Sequence, residues 1–395
     1  MSDARTAKGQ RPPRGLFALP PVPRRRAERT KAQTQDSRAH NRSLVLTTLY
    51  RQGAMSRADL TRESGLTAPT ISALVAELET DGLVAYAERP VESGPRRGKP
   101  SPLVEIQDGS RSAVVLDLSP DGHFSGAVTD LRGRVVARAR TDIGDAVGAA
   151  AWDLVAELAA RLVDAAPSRV LGLGVATPGT VDDRGVIRHA AHLGWQGLPM
   201  AARLTERFGV PAYVGNDANA AALAVLHLRE ARSLNLMVIL TEHGVGAGLV
   251  VDGQLVEGEQ FAAGEIGHVT VDPAGALCIC GRRGCLDPLI DAGCLRERLA
   301  EAGAGQRAEI LTGAGEALGM VLAPIACALN LNELVLVGAA ELLQGPLLEA
   351  AADTVRMRTL PPIGASLRIR ALTEDHDLIL QGAACLVLAG ELNVL

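Results

Sequence analysis

Aromatic residues are almost missing from this chain. Phe, Tyr and Trp make up 2% of its 395 residues, so Ala, Gly, Leu and Val must do the packing. Hydrophobic residues still reach 47%, ample for the cores of the two or three domains that this length suggests. Lysine is nearly absent as well: Lys8, Lys31 and Lys99 are the only ones. That bias toward arginine reads as a property of the source genome and says little about function. No Cys-x-x-Cys pair occurs, which excludes a zinc finger or zinc ribbon. No signal-peptide pattern opens the chain, and Cys294, Cys327 and Cys385 are scattered in apolar surroundings, which argues against disulfides. No apolar run looks long and charge-free enough to span a membrane. The expectation is a cytoplasmic protein with no membrane partner.

What is present is concentrated between His268 and Cys285. Cys278, Cys280 and Cys285 fall close together, and His268 lies just upstream. Zinc favours a tetrahedral set of thiolate and imidazole ligands. The Cys278-x-Cys280 step puts two sulfurs on one tight turn, and Gly281 and Gly284 let the loop fold back to bring in the third. These residues are read as one structural zinc site: His268, Cys278, Cys280 and Cys285.

Net charge is −5, unevenly spread. Residues 1–108 carry 18 Lys and Arg against 12 Asp and Glu, while the remainder carries 22 against 33. A basic front on an acidic body suggests that the front meets a polyanion. Residues 1–35, rich in Arg, Pro, Ala and Gln, read as a disordered basic arm. Residues 36–108 read as a winged helix-turn-helix. Leu44, Val45, Leu46 and Leu49 form one helical stripe, and Ser56 caps a short helix from Arg57 to Glu63. Ser64-Gly65-Leu66-Thr67 turns, Thr67 caps the next helix, and Pro69 sits in its first turn where a missing N–H costs nothing. Ile71, Leu74, Val75 and Leu78 form its buried stripe. The strand from Leu83-Val84, the loop Gly94-Pro95-Arg96-Arg97-Gly98-Lys99-Pro100 and Leu103–Ile106 make a wing. Ser56, Arg57, Thr67, Ala68, Thr70, Ser72 and Ala73 are expected at phosphates or base edges, with Arg97 and Lys99 on the wing. A symmetric homodimer, or a dimer of dimers, would then read a double-stranded operator as two half-sites.

From residue 109 to 395, strands alternate with helices across Gly-rich turns, an α/β pattern. Val114–Leu118, Phe124–Thr129 and Val135–Arg140 read as a meander, Trp152–Ala165 as an amphipathic helix, and Val170–Ala176 and Ala212–Gly215 as strands. Leu236–Leu240 and Gly248–Val251 read as a pair, Gly313–Asn330 as helix and Glu333–Val337 as strand. Gly264-Glu265-Ile266-Gly267-His268, followed by Cys-x-Cys-Gly-x-x-Gly-Cys-Leu, closely resembles the signature of the ROK family of repressors, open reading frames and sugar kinases. The two helix-turn-helix segments, Ser56–Leu60 and Gly65–Ser72, resemble the winged-helix half of its repressors. The resemblance extends over roughly residues 38 to 390. It implies two lobes of the actin-like ATPase type around a central cleft.

Val214-Gly215-Asn216-Asp217-Ala218-Asn219 resembles the catalytic strand-to-helix junction of ROK kinases. A carboxylate there is stabilised by the helix dipole and points into the crevice at a strand end. In a kinase it would take the proton of a sugar hydroxyl; in a sensor it need only accept hydrogen bonds. By resemblance, Glu265, His268 and Asp287 also face the sugar, Asp287 standing where the family usually has Glu. His268 would serve zinc with one ring nitrogen and a hydroxyl with the other.

The departures separate sensor from kinase. The family's first phosphate loop, Asp-x-Gly-x-Thr, is here Asp117-Leu118-Ser119-Pro120-Asp121-Gly122. Pro120 offers no N–H and Asp121 adds negative charge where phosphates would sit. Gly244-Val245-Gly246-Ala247-Gly248 keeps its glycines, but Glu242-His243 replaces the kinase Gly-Thr before it, and Gly338-Ala339 replaces Gly-Gly. The expectation is a sugar-responsive DNA-binding repressor of carbohydrate genes that transfers no phosphate. A glucokinase-like enzyme with an added DNA-binding domain is the alternative, and a repressor with a vestigial cleft that answers to a protein partner is a third.

Overall fold

A computed structural model describes residues 33–87, 102–119, 122–229, 231–373 and 377–394. Arg97 and Lys99 on the wing, Pro120 and Asp121 in the first loop, and most of the basic arm lie outside the described residues.

The chain enters on α1 (Gln33–Gln52), so residues 33–35, expected in the arm, belong to the first helix. β1 (Met55–Ser56), α2 (Arg57–Ser64) and α3 (Ala68–Thr80) follow. Ser56 and Asp59 form a reciprocal capping box on α2, and Gly65 ends that helix in the left-handed region at φ 69°. Thr67 caps α3 by accepting from the Thr70 N–H, and Ile71, Leu74, Val75 and Leu78 are the buried face. β2 (Val84–Ala87) pairs antiparallel with β3 (Leu103–Ile106), and β1 adds a third strand on the far side of β3. The core of this domain continues into Leu131, Leu388 and Val394, so the winged helix is packed onto the body of the protein.

The body holds two sheets of one plan. The first contains β4 (Ser112–Asp117), β5 (His123–Thr129) and β6 (Val135–Asp142) as an antiparallel meander. α4 (Gly148–Asp164) leads to β7 (Val170–Thr177), which lies parallel to β4. A small sheet of β8 (Thr180–Val181), β9 (Ile187–Ala190) and β10 (Trp195–Leu198) intervenes. After α5 (Met200–Phe208), β11 (Ala212–Asn216) completes the order β11-β7-β4-β5-β6. α6 (Asp217–Leu228) then crosses to the second sheet. There β12 (Leu236–Leu240), β13 (Gly246–Val251) and β14 (Gln254–Leu255) make the second meander. The helices α7 (Asp287–Ile290), α8 (Ala292–Glu301) and α9 (Ala304–Leu329) precede β15 (Glu333–Val337). α10 (Ala340–Leu343), α11 (Pro346–Arg358) and α12 (Pro361–Ser366) precede β16 (Arg368–Leu372), giving the order β14-β13-β12-β15-β16. Each lobe is thus a three-stranded meander extended by two parallel strands, the duplicated architecture of the actin-like ATPases.

α6 and the last helix, α13 (Leu378–Leu392), lie between the sheets. Their Ala- and Gly-rich sequences have a physical reason. A Cβ on Gly382 would stand 2.0 Å from the Ala220 carbonyl oxygen, and one on Gly248 would stand 2.3 Å from that of Ala218. Backbones that close admit no side chain.

α9 corrects two expectations. It begins at Ala304, nine residues before Gly313, and Gly305–Leu329 is long and apolar enough to cross a membrane by length and composition. The apolarity is explained by packing. Leu311, Ala314, Leu318, Val321, Leu322 and Ala326 are buried in the core of the second lobe against Leu347, Ala351 and Val355 of α11.

Candidate functional site

A cavity of about 1000 Å³ opens between the lobes. Its walls come from the ends of β4, β7 and β11 on one side and from the Glu242–Gly246 turn and the end of β15 on the other.

Asn216 and Asp217 stand at its floor because β11 hands over directly to α6. The Asn216 side chain caps α6: its Oδ1 accepts from the Asn219 N–H at 3.0 Å, and its Nδ2 donates to the Gly179 carbonyl at 3.0 Å. Asp217 Oδ1 accepts the Ala218 N–H at 2.7 Å. Burial, then the nearby charges of Asp117 and Glu265, push the Asp217 carboxyl up to about 7. Asp117 is also raised by burial, against the Ser119 hydroxyl and N–H, which both donate to its Oδ1 at 2.7 and 2.9 Å. Three acids therefore crowd one end of the cleft.

Glu265 and His268 flank a short turn at the cleft wall. His268 Nδ1 lies 3.5 Å from Cys278 Sγ, while Nε2 faces Glu265 at 3.9 Å. One ring nitrogen thus addresses the thiols and the other faces Glu265. Cys280 and Cys285 place their sulfurs 3.6 Å apart, and the ligand atoms of all four residues lie within 4.8 Å of one another. A tetrahedron with Zn–S near ~2.3 Å sets its sulfurs about 3.8 Å apart, so the donor set fits zinc in spacing and in chemistry. Burial and the adjoining thiols push the Cys285 thiol up to about 12, a balance that a divalent cation reverses. Gly284 is essential to the loop, since a Cβ there would stand 1.4 Å from the Asp272 carbonyl oxygen.

Asp287 lines the cavity, but its Oδ1 accepts the Val245 N–H at 2.7 Å. Asp291 holds the preceding amide, its Oδ2 accepting from Gly244 at 2.9 Å, while its Oδ1 caps α8 at the Cys294 N–H. Arg296 bridges Glu242 and Glu341 on the same rim, at 3.5 and 2.9 Å. Sequence reasoning missed Asp291, Arg296, Arg140, Glu341 and the cleft histidines His123, His189 and His192. Only Asp291 carried a usable signal, an Asp just before a helix, which marks a cap and gives no hint of the Gly244 contact.

On the winged helix, Arg57, Thr67, Ala68, Ser72 and Ala73 are exposed, and Thr70 is half-buried with its hydroxyl on that of Thr67 at 2.8 Å. Ser56 is placed in the cap, 5% exposed, with its Oγ on the Asp59 carboxylate at 2.7 Å.

The profile of the ROK family matches residues 121–389, well over half of the chain. The chain belongs to the ROK family. A MarR family profile matches residues 39–94, the winged helix. This ROK protein is 28% identical over 249 residues to the xylose repressor of Bacillus spizizenii, across 62% of this chain and 64% of the repressor. It thus spans less than two thirds of that relative's length. It is 32% identical over 248 residues to the glucokinase of Halalkalibacterium halodurans, across 54% of this chain and 75% of that enzyme. Among solved structures, a ROK family transcriptional regulator, a homolog of the E. coli MLC protein, superposes with a TM-score of 0.79 at 22% identity. That match covers 91% of this chain and 98% of the regulator.

Proposed function

We propose that this ROK protein is a DNA-binding transcriptional regulator, a repressor of carbohydrate genes, whose kinase-like domain senses a sugar without phosphorylating it. The observation that carries the reading is the continuous core joining Leu46, Leu49 and Leu78 of the winged helix to Leu131 of the first lobe and Leu388 of α13. A sugar held in the cleft by Asn216, Asp217, Glu265, His268 and Asp287 bridges the lobes and favours one lobe angle. The winged helix is packed on one of those lobes, so it moves with the angle. A ligand shifts such an equilibrium only by its difference in affinity for the two states.

His268, Cys278, Cys280 and Cys285 hold a structural zinc, which supplies rigidity to the loop and fixes the imidazole that reads the sugar. α3 enters the major groove with Thr67, Ala68, Thr70, Ser72 and Ala73 near phosphates or base edges, Arg57 near the backbone, and Arg97 and Lys99 on the wing, while Ser56, buried in its capping box, serves α2. A homodimer, or a dimer of dimers, presents two such helices to operator half-sites in the cytoplasm, at the nucleoid.

The test is a thermal-shift screen of sugars and sugar phosphates, followed by operator binding with each hit. Asp217→Ala is expected to abolish the effector's influence while operator binding without sugar stays near wild type. A second reading, a sugar kinase with an added DNA-binding domain, draws on the identity to a glucokinase and on Asp217 at its strand-to-helix junction. It requires turnover with ATP, magnesium and hexoses at about 1–100 per second. None above background is expected.

A further inference from the structure

We infer that the cleft accepts an uncharged sugar and turns away phosphate esters and nucleoside triphosphates. This rests on the reading of the cleft as a sugar-sensing site, and it specifies the charge of the effector.

Phosphate recognition needs free backbone N–H groups and positive potential. At both loops that face the cleft, a carboxylate already holds a backbone amide among the described residues. Ser119 N–H donates to Asp117 at 2.9 Å. Gly244 N–H donates to Asp291 at 2.9 Å, and Val245 N–H to Asp287 at 2.7 Å. Each carboxylate oxygen takes up the N–H that a phosphate oxygen would otherwise accept. The arginines of the cleft wall do not compensate. Among the described lining residues, Arg296 is shared between Glu242 and Glu341, and Arg140 is the other arginine. Against these stand the acidic side chains of Asp117, Asp217, Glu242, Glu265, Asp287 and Glu341 around the same cavity. His123, His189, His192 and His243 also line it, but an imidazole donates or accepts and suits a hydroxyl as well as an anion. Sugar hydroxyls donate readily to carboxylates, whereas a phosphate dianion can only repel them.

The experiment is calorimetry on the full-length protein with two matched pairs, glucose and glucose 6-phosphate, and N-acetylglucosamine and its 6-phosphate. Inorganic pyrophosphate is titrated into wild type and into Asp287→Asn/Asp291→Asn. In that double variant Asp287→Asn keeps an acceptor for the Val245 N–H, Asp291→Asn keeps one oxygen for the α8 cap at Cys294 and releases the Gly244 N–H, and two charges are removed. Folding of the variant is checked by its melting curve. For a pair whose sugar binds, the ester is expected to bind at least about tenfold more weakly. Pyrophosphate affinity is expected to rise about tenfold in the variant. An ester binding as tightly as its sugar, and lost in Asp217→Ala, overturns the inference while the sensor reading stands. If neither sugars nor esters bind, the sensor reading loses its support, and pyrophosphate decides the charge inference alone. No gain in the folded variant, or tight wild-type binding lost in Asp217→Ala, overturns it.

Discussion

Arg132 donates to the Tyr50 carbonyl oxygen at 2.6 Å and lays its guanidinium over the ring of the same residue, 4.7 Å from the centroid. Its Nε reaches Asp108 at 3.0 Å. One side chain from the β5–β6 turn thereby closes the end of α1 and ties the DNA-binding domain to the first lobe. Ser43 and Asn393 make a second tie, where the Asn393 amide donates to the Ser43 hydroxyl at 3.0 Å.

Arg132→Ala is expected to remove that coupling. The loss of a charge-assisted bond and a cation–π contact should destabilise the protein by about 1–3 kcal/mol. Sugar binding should persist while the sugar's effect on operator affinity shrinks. Denaturation and operator titrations with and without sugar measure the two effects separately. An undiminished sugar effect would show that the signal passes through the shared core alone.

The zinc assignment predicts close to one metal per chain by elemental analysis. Cys280 is the exposed member of the set, so Cys280→Ala creates no buried cavity. The variant should nevertheless lose the metal and melt lower, because metal affinity at such a loop is also folding free energy. Metal-free wild type that binds its sugar with unchanged affinity would sink the idea.

For the DNA face, Ala73→Glu is expected to abolish operator binding. Ala73 is exposed on α3, and glutamate is a good helix former, so the fold should survive while a negative charge meets the phosphates. Lys99→Ala should lower affinity on all sequences and reduce the salt slope by about one. Binding isotherms across a salt series, with circular dichroism as control, decide both. An unchanged slope would take the wing off the DNA.

Local signals made much of this legible in the sequence. The caps at Ser56 and Thr67 and the stripe Ile71, Leu74, Val75, Leu78 depend on neighbours within one or two turns, and the structure holds them as read. The histidine and three thiols fall on one loop, so their spacing alone brought them together. What escaped was long-range. Gly244 and Asp291 are 47 residues apart, and no periodicity announces that one amide will meet that carboxylate. The polar first turns of α1 and α9 show no apolar stripe and read as arm or loop. The Ser56 hydroxyl satisfies equally well the pattern of a DNA contact and of a cap, and only burial separates them.

Asp217 makes the protein's response to pH specific. Its carboxyl is raised from the ordinary 3.8 to about 7, chiefly by burial and then by Asp117 and Glu265. In the unfolded chain the same group ionises near its ordinary value. Between those two values the folded protein holds a proton that the unfolded chain has released. Its contribution to stability is therefore full below about pH 4 and lost as pH rises to about 7. Asp217→Asn cannot ionise, so denaturation midpoints of the variant should fall less than those of wild type between pH 5 and 7.5. Equal slopes in the two proteins would mean that Asp217 is already ionised across this range. A sugar whose hydroxyls donate to the ionised carboxylate should bind with proton release below pH 7, measurable as a buffer-dependent binding enthalpy that vanishes in Asp217→Asn.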